Sequence, residues 1–164
     1  MSERTVLVIR WSLLAVMCIV IFVFSGFPGH DSTEQSGGIV DALIHVLVDD
    51  LETKSPDEIH GMKEMLTIFV RKGAHFTEYA LLACLAFSAF LRLKKRGLRW
   101  LAAVGFTCFY ACTDELHQTF VPGRAGMVKD VILDTCGGVF GAVIACVISL
   151  IVAARIVLKR NSVE

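Results

Sequence analysis

Histidines, carboxylates and arginines gather in three short stretches of an otherwise apolar chain. Arg71, Lys72, His75, Glu78 and Tyr79 lie in the first; Asp114, Glu115, His117 and Gln118, followed by Arg124, in the second; Asp130 and Asp134 in the third. A histidine oriented by a carboxylate is equipment for general acid–base chemistry, and an arginine can stabilise developing negative charge. On a helix His75 and Glu78 share a face with Arg71 one turn earlier. Asp114 likewise shares a face with His117 and Gln118, a stripe that continues backward through Tyr110 and Thr107, and Asp130 aligns with Asp134. The candidate catalytic set is therefore His75, Glu78, Asp114, Glu115 and His117; the candidate ligand-binding set is Arg71, Lys72, Tyr79, Gln118, Arg124, Asp130 and Asp134. His-x-x-Glu and Asp-x-x-His on adjacent helices offer metal ligands in principle. Their spacing is neither that of HExxH nor that of paired Glu-x-x-His sites, so no metal or other cofactor is expected. A serine-nucleophile motif is absent. The plainer alternative is that each carboxylate is a satisfied interhelical partner holding a small bundle together.

These residues need elements to position them, and the apolar runs supply candidates. Mean hydropathy is +0.65 and 55% of the residues are hydrophobic, high for a soluble domain. A bilayer-crossing helix needs roughly 20 mostly apolar residues. Segments 5–27, 72–91, 98–118 and 131–154 meet or approach that length. Residues 11–29 and 135–154 carry no Asp, Glu, Lys or Arg on any face, whereas a soluble bundle would show polar stripes. The expectation is a single-domain, all-α integral membrane protein, a four-transmembrane-helix bundle. Cleavage of the first segment as a signal peptide is disfavoured by its length and the lack of a convincing small-x-small site near Ser25–Gly26.

Lysine and arginine set the orientation. Arg4 and Arg10 precede the first span; Arg92, Lys94, Lys95, Arg96 and Arg99 lie between the second and third; Arg155, Lys159 and Arg160 follow the fourth. The loop 28–71 is acidic instead, with Asp31, Glu34, Asp41, Asp49, Asp50, Glu52, Asp57 and Glu58. Both termini are thus expected in the cytoplasm, with loops 28–71 and 119–129 outside, so the polar residues share the outer third of the bundle. Ionisable groups at such depth face a partner or a wet cavity and mark a candidate site.

Within the outer loop, Ile39, Val40, Leu43, Ile44, Leu47 and Leu51 recur at helical spacing, predicting an amphipathic helix. Ser55-Pro56-Asp57-Glu58 reads as a helix start, with Ser55 as N-cap and Pro56 first in the helix. Met62, Met65, Leu66 and Phe69 carry that helix toward the second span. Pro122-Gly123 predicts a turn that holds Arg124 over the bundle mouth, where it would meet a carboxylate or phosphate. Gly138, Gly141 and Ala145 form a small-residue stripe suited to close helix packing. The six cysteines sit in apolar runs without CxxC or finger spacing and read as small hydrophobes.

His75-Phe76-x-Glu78-Tyr79, the block Asp114-Glu115-x-His117-Gln118-x-Phe120-Val121-Pro122-Gly123-Arg124, and Asp130-Val131 with Gly137 following resemble the VanZ-like family. The first span, ending in Phe24-Ser25, is similar too, and the resemblance covers roughly residues 11–150. Asp134 departs from the asparagine expected there. The resemblance implies a small multi-pass protein of the bacterial cytoplasmic membrane whose founding member is associated with teicoplanin resistance. Three readings follow. The first is a module at the outer face that binds or modifies an amphiphilic or lipid-linked envelope component, or a glycopeptide antibiotic. The second is a membrane-embedded hydrolase or transferase using the His/Glu/Asp cluster. The third is a small transport path. No nucleic-acid partner is expected, and the oligomeric state is open.

Overall fold

The computed structural model describes residues 2–162, without the side chains of 30–35, so the acidic groups of Asp31 and Glu34 lie outside the described residues. The described chain is all-helical: α1 (Glu3–Ser25), α2 (Gly29–Leu47), a 3-10 turn (Leu51–Thr53), α3 (Pro56–Ala89), α4 (Arg96–Gln118) and α5 (Val128–Asn161). The three later helices coincide with the second, third and fourth apolar segments, but α3 and α5 are longer than those segments. At 1.5 Å per residue the 34 residues of α3 extend about 51 Å, well beyond a hydrocarbon core of about 30 Å.

The start of α3 is written locally. Ser55 Oγ accepts from the Glu58 backbone N–H at 3.4 Å, Glu58 Oε2 accepts from the Ser55 N–H at 2.8 Å, and Pro56 stands at the head of the helix. Accepting from the Ser55 N–H and also from its hydroxyl holds the Glu58 carboxyl below its ordinary range. From there α3 runs unbroken through residues expected in the outer loop and into the second apolar segment.

α3 is the central helix and packs against α1, α2, α4 and α5. Its partnership with α5 rests on glycine. A Cβ at Gly137 would strike the Phe76 carbonyl and one at Gly141 the Ala80 carbonyl, while Gly138 faces the Thr107 methyl of α4. The small-residue stripe therefore lets two backbones nearly touch. Around this seam Tyr79, Leu82, Ala83 and Ala86 of α3 are fully buried with Ala103 and Ala111 of α4 and Ala142 of α5.

The expected amphipathic helix is α2, whose Val40 and Ile44 are buried while Ile39 and Leu47 stay exposed. Lys63 of α3 reaches Asp41 of α2 at 2.7 Å, and this partner draws the Asp41 carboxyl below its usual range. Both side chains are well exposed, so the pair orients α2 more than it stabilises it.

α1 and α5 are each long and apolar enough to cross a bilayer, with hydropathies of 2.7 and 2.6 over their most apolar windows. Most of that apolar surface faces outward: Val16, Ile19 and Val23 on α1, and Val147, Ile148 and Ile151 on α5, are all exposed.

Candidate functional site

Asp114, near the C-terminal end of α4, is the acceptor on which three helices converge. Ser25 Oγ, the last residue of α1, donates to Oδ1 at 2.5 Å; Tyr79 OH of α3 donates to Oδ2 at 3.2 Å; Gln118 Nε2 donates to the same oxygen at 3.1 Å. The carboxylate is 3% exposed, so each donor removes part of a desolvation cost that would otherwise be unpaid. Gln118 also donates to Glu115 Oε1 at 3.3 Å, and Glu115 Oε2 accepts from the Met127 backbone N–H at 2.8 Å just ahead of α5.

Arg124 is positioned by the turn that Pro122-Gly123 encodes. Arg124 N–H donates to the Val121 carbonyl at 3.1 Å, and Gly123 has φ 73°, a value that a side chain would disfavour. Among the described residues the guanidinium donates to the carbonyls of Phe27 at 2.8 Å and Phe24 at 3.3 Å, and to Gln118 Oε1 at 3.4 Å. Those carbonyls belong to the C-terminal end of α1, where backbone acceptors lack helical donors. The arginine thus ties the 119–127 connection to the first helix, helped by Gly29 N–H donating to the Pro122 carbonyl at 3.3 Å.

The remaining candidates divide sharply. Lys72 pairs with Asp130 at 2.7 Å across α3 and α5, so its charge is already met. His117 stacks on Phe22 of α1 with ring centroids 4.4 Å apart, lines neither of the cavities described next, and leaves its buried Nδ1 without a hydrogen bond. It does not join His75. Arg71 and Glu78 make no hydrogen bond or ion pair among the described residues, and neither Asp134 oxygen has a hydrogen-bond partner although that residue is fully buried. His75 Nδ1 stands 4.0 Å from Asp134 Oδ1, beyond hydrogen-bond reach.

Two cavities meet at Arg71 and His75, which line both. One, about 320 Å³, lies between α3, α4 and α5, with Glu115, Gln118, Asp130 and Asp134 among its polar walls and Ile68 and Leu133 among its apolar ones. The other, about 310 Å³, lies toward α1 and α2 and adds Ser25, Ser36, Glu78 and Arg124.

The VanZ/LLP1 family model matches residues 10–150, which takes in both cavities and every residue of the Asp114 network. The chain belongs to the VanZ/LLP1 family. No curated protein and no solved structure matches it. In this VanZ-family chain, then, the motif residues have distinct placements. Tyr79, Asp114, Glu115, Gln118 and Arg124 form a hydrogen-bonded frame, while Arg71, His75, Glu78 and Asp134 line the space that the frame holds open. Among the described residues no group of three or more His, Cys, Asp or Glu is placed to hold a metal ion.

Sequence reasoning left Ser25 out of its site set, although it supplies the shortest bond to Asp114. The available signal was its place as the last residue before the Gly26 turn, a hydroxyl ending an apolar run. The Met127 backbone donor and the stacking of Phe22 on His117 carry no such signal, because neither depends on a recognisable residue type.

Proposed function

We propose that this VanZ-family protein crosses the bacterial cytoplasmic membrane four times, with both termini inside, and holds an anionic amphiphile or lipid-linked envelope component at its outer face. The observation that carries the binding reading is Arg71. Its guanidinium lies between two cavities of about 320 and 310 Å³ without a protein hydrogen bond or ion pair among the described residues. The neighbouring Lys72, Asp114, Glu115 and Arg124 all have protein partners. An arginine left free beside a cavity suits a phosphate or carboxylate, which it can engage with two parallel hydrogen bonds. The topology is supported by the all-round apolar surfaces of α1 and α5 and by the basic segments around Arg10, 92–99 and 155–160. Beyond the Asp114 network the interior turns to Leu82, Ala83, Ala86 and Ala103, which argues against a polar path through a single copy.

An enzymatic reading draws support from one feature. His75 and Asp134 face each other across 4.0 Å at a cavity wall, an arrangement that a substrate proton could bridge in general acid–base chemistry. Such an enzyme would be a hydrolase or transferase acting on a lipid-linked substrate. The displacement of His117 from His75 removes one of the two histidines of the expected acid–base set, so binding is the better supported reading.

Expression in a susceptible Gram-positive host tests the link to antibiotic tolerance. The native chain is expected to raise the inhibitory concentration of teicoplanin more than that of vancomycin. Arg71→Ala, matched for membrane abundance, is expected to abolish the rise, whereas Lys72→Ala retains most of it. A rise that survives Arg71→Ala overturns the site; no rise with the native chain overturns the resistance role.

A further inference from the structure

Among the described residues, the cavity between α3, α4 and α5 combines an arginine that makes no hydrogen bond or ion pair with a deeply buried carboxyl that makes no hydrogen bond. Lys72 and Asp130 neutralise each other at 2.7 Å, and Glu115 already accepts from Gln118 and the Met127 N–H. That leaves Arg71 on one wall and Asp134 on another. Asp134 is 0% exposed with both oxygens lacking a hydrogen-bond partner, and the facing His75 Nδ1 lacks one too. A carboxylate so placed is costly to leave unpaired, so the arrangement calls for a donor from outside the chain.

We propose that this cavity takes a zwitterionic phospholipid headgroup, its phosphate held by Arg71 and its primary ammonium bridging Asp134 and His75. The proposal rests on the anionic-amphiphile reading and deepens it by naming the other end of the ligand. Charge balance points this way: Arg71 meets the negative group, Asp134 the positive one, and the filled cavity gains no net charge. The spacing decides between an ammonium and a hydroxyl. A nitrogen about 2.8 Å from each partner closes the 4.0 Å gap between Asp134 Oδ1 and His75 Nδ1 as the apex of a triangle. Two acceptors then need two hydrogens from one atom. An ammonium carries three and a hydroxyl one. His75, neutral with its proton on Nε2, presents Nδ1 as the second acceptor.

The test measures binding of dioctanoyl phospholipids to the purified full-length protein in a neutral maltoside, by native mass spectrometry. The lipids are phosphatidylethanolamine, its mono-, di- and trimethylated headgroup forms, and phosphatidic acid. With two donors required, affinity is expected to hold through the monomethyl form and to fall about tenfold by the trimethyl form, which donates none. Asp134→Leu, close in size and without a hydrogen-bond acceptor, is expected to erase that preference, and Arg71→Gln to weaken phosphatidylethanolamine and phosphatidic acid together. If the native protein binds all methylation states equally, the zwitterion inference is wrong regardless of how any variant folds. An Asp134→Leu protein that keeps the preference overturns it as well. In either case a loss of phosphatidic acid binding in Arg71→Gln leaves the anionic reading standing. If Arg71→Gln leaves every lipid unchanged, or nothing binds the native protein, both readings fall.

Discussion

At Asp114 three donors from α1, α3 and α4 meet one buried carboxylate, and each of the three would be left without this acceptor by a truncation there. Interhelical hydrogen bonds inside membrane proteins contribute about 0.6 kcal/mol each, so the two from α1 and α3 contribute roughly 1 kcal/mol. Asp114→Ala is therefore expected to lower stability by about 1 kcal/mol in a denaturing-detergent titration, and Ser25→Ala by about half of that. Equal losses in the two variants would show that the network does not centre on Asp114. Neighbouring residues of similar type differ in what remains free. Lys72 spends its charge on Asp130, while Arg71, one position earlier, keeps its guanidinium at the cavity walls. The difference follows from helix geometry: one residue turns the side chain by about 100° around α3, and Lys72 is the one that reaches Asp130.

The element that most constrains the bundle is the α3–α5 seam. At Gly141 a methyl group would collide with the Ala80 carbonyl, and Cys84 Sγ donates to the Gly141 carbonyl at 3.1 Å, so neither helix can withdraw freely. Gly105 on α4 offers the contrast, with open space where a Cβ would stand. Gly141→Ala is expected to destabilise the protein by about 1–3 kcal/mol, as overpacking does. Gly105→Ala, which only improves helix propensity, is expected to be neutral or to raise the melting temperature. A melting comparison of the two checks this, and similar effects would mean that the close approach is not what holds α3 on α5. Because that seam sets the depth of Asp134 opposite His75, element packing and site geometry are one problem.

For the whole molecule, membrane topology is the property on which the proposed outward-facing site depends. Basic residues cluster between α3 and α4 and after α5, whereas 119–127 joins the cluster end of α4 to α5. Alkaline phosphatase fused after Gly123 is expected to be active and a fusion after Lys95 inactive in a bacterial host. The reverse pattern would place Arg71 and both cavities on the cytoplasmic side and sink the outer-face reading.

Much of this protein is written locally and so was legible in the sequence by itself. The helix start at Ser55–Glu58 and the Pro122-Gly123 turn depend only on residues within one turn of each other, and both occur as read. The apolar lengths of α1 and α5 and the small-residue face at Gly138 and Gly141 follow equally from composition and period. The motif block carried the family. Periodicity alone could not divide the polar residues into frame and cavity wall, because a shared helix face says nothing of which neighbour it meets. His117, Asp114 and Gln118 share one stretch of α4, yet the tertiary packing sends His117 onto Phe22 of α1 and Asp114 to Tyr79 of α3. Arg124 was placed at the bundle mouth by its turn, but only the end of α1 offered the carbonyls that claimed it. The same holds for Asp134: its position on α5 is a matter of spacing, whereas its lack of a partner depends on three helices arriving together and leaving a gap of 4.0 Å to His75.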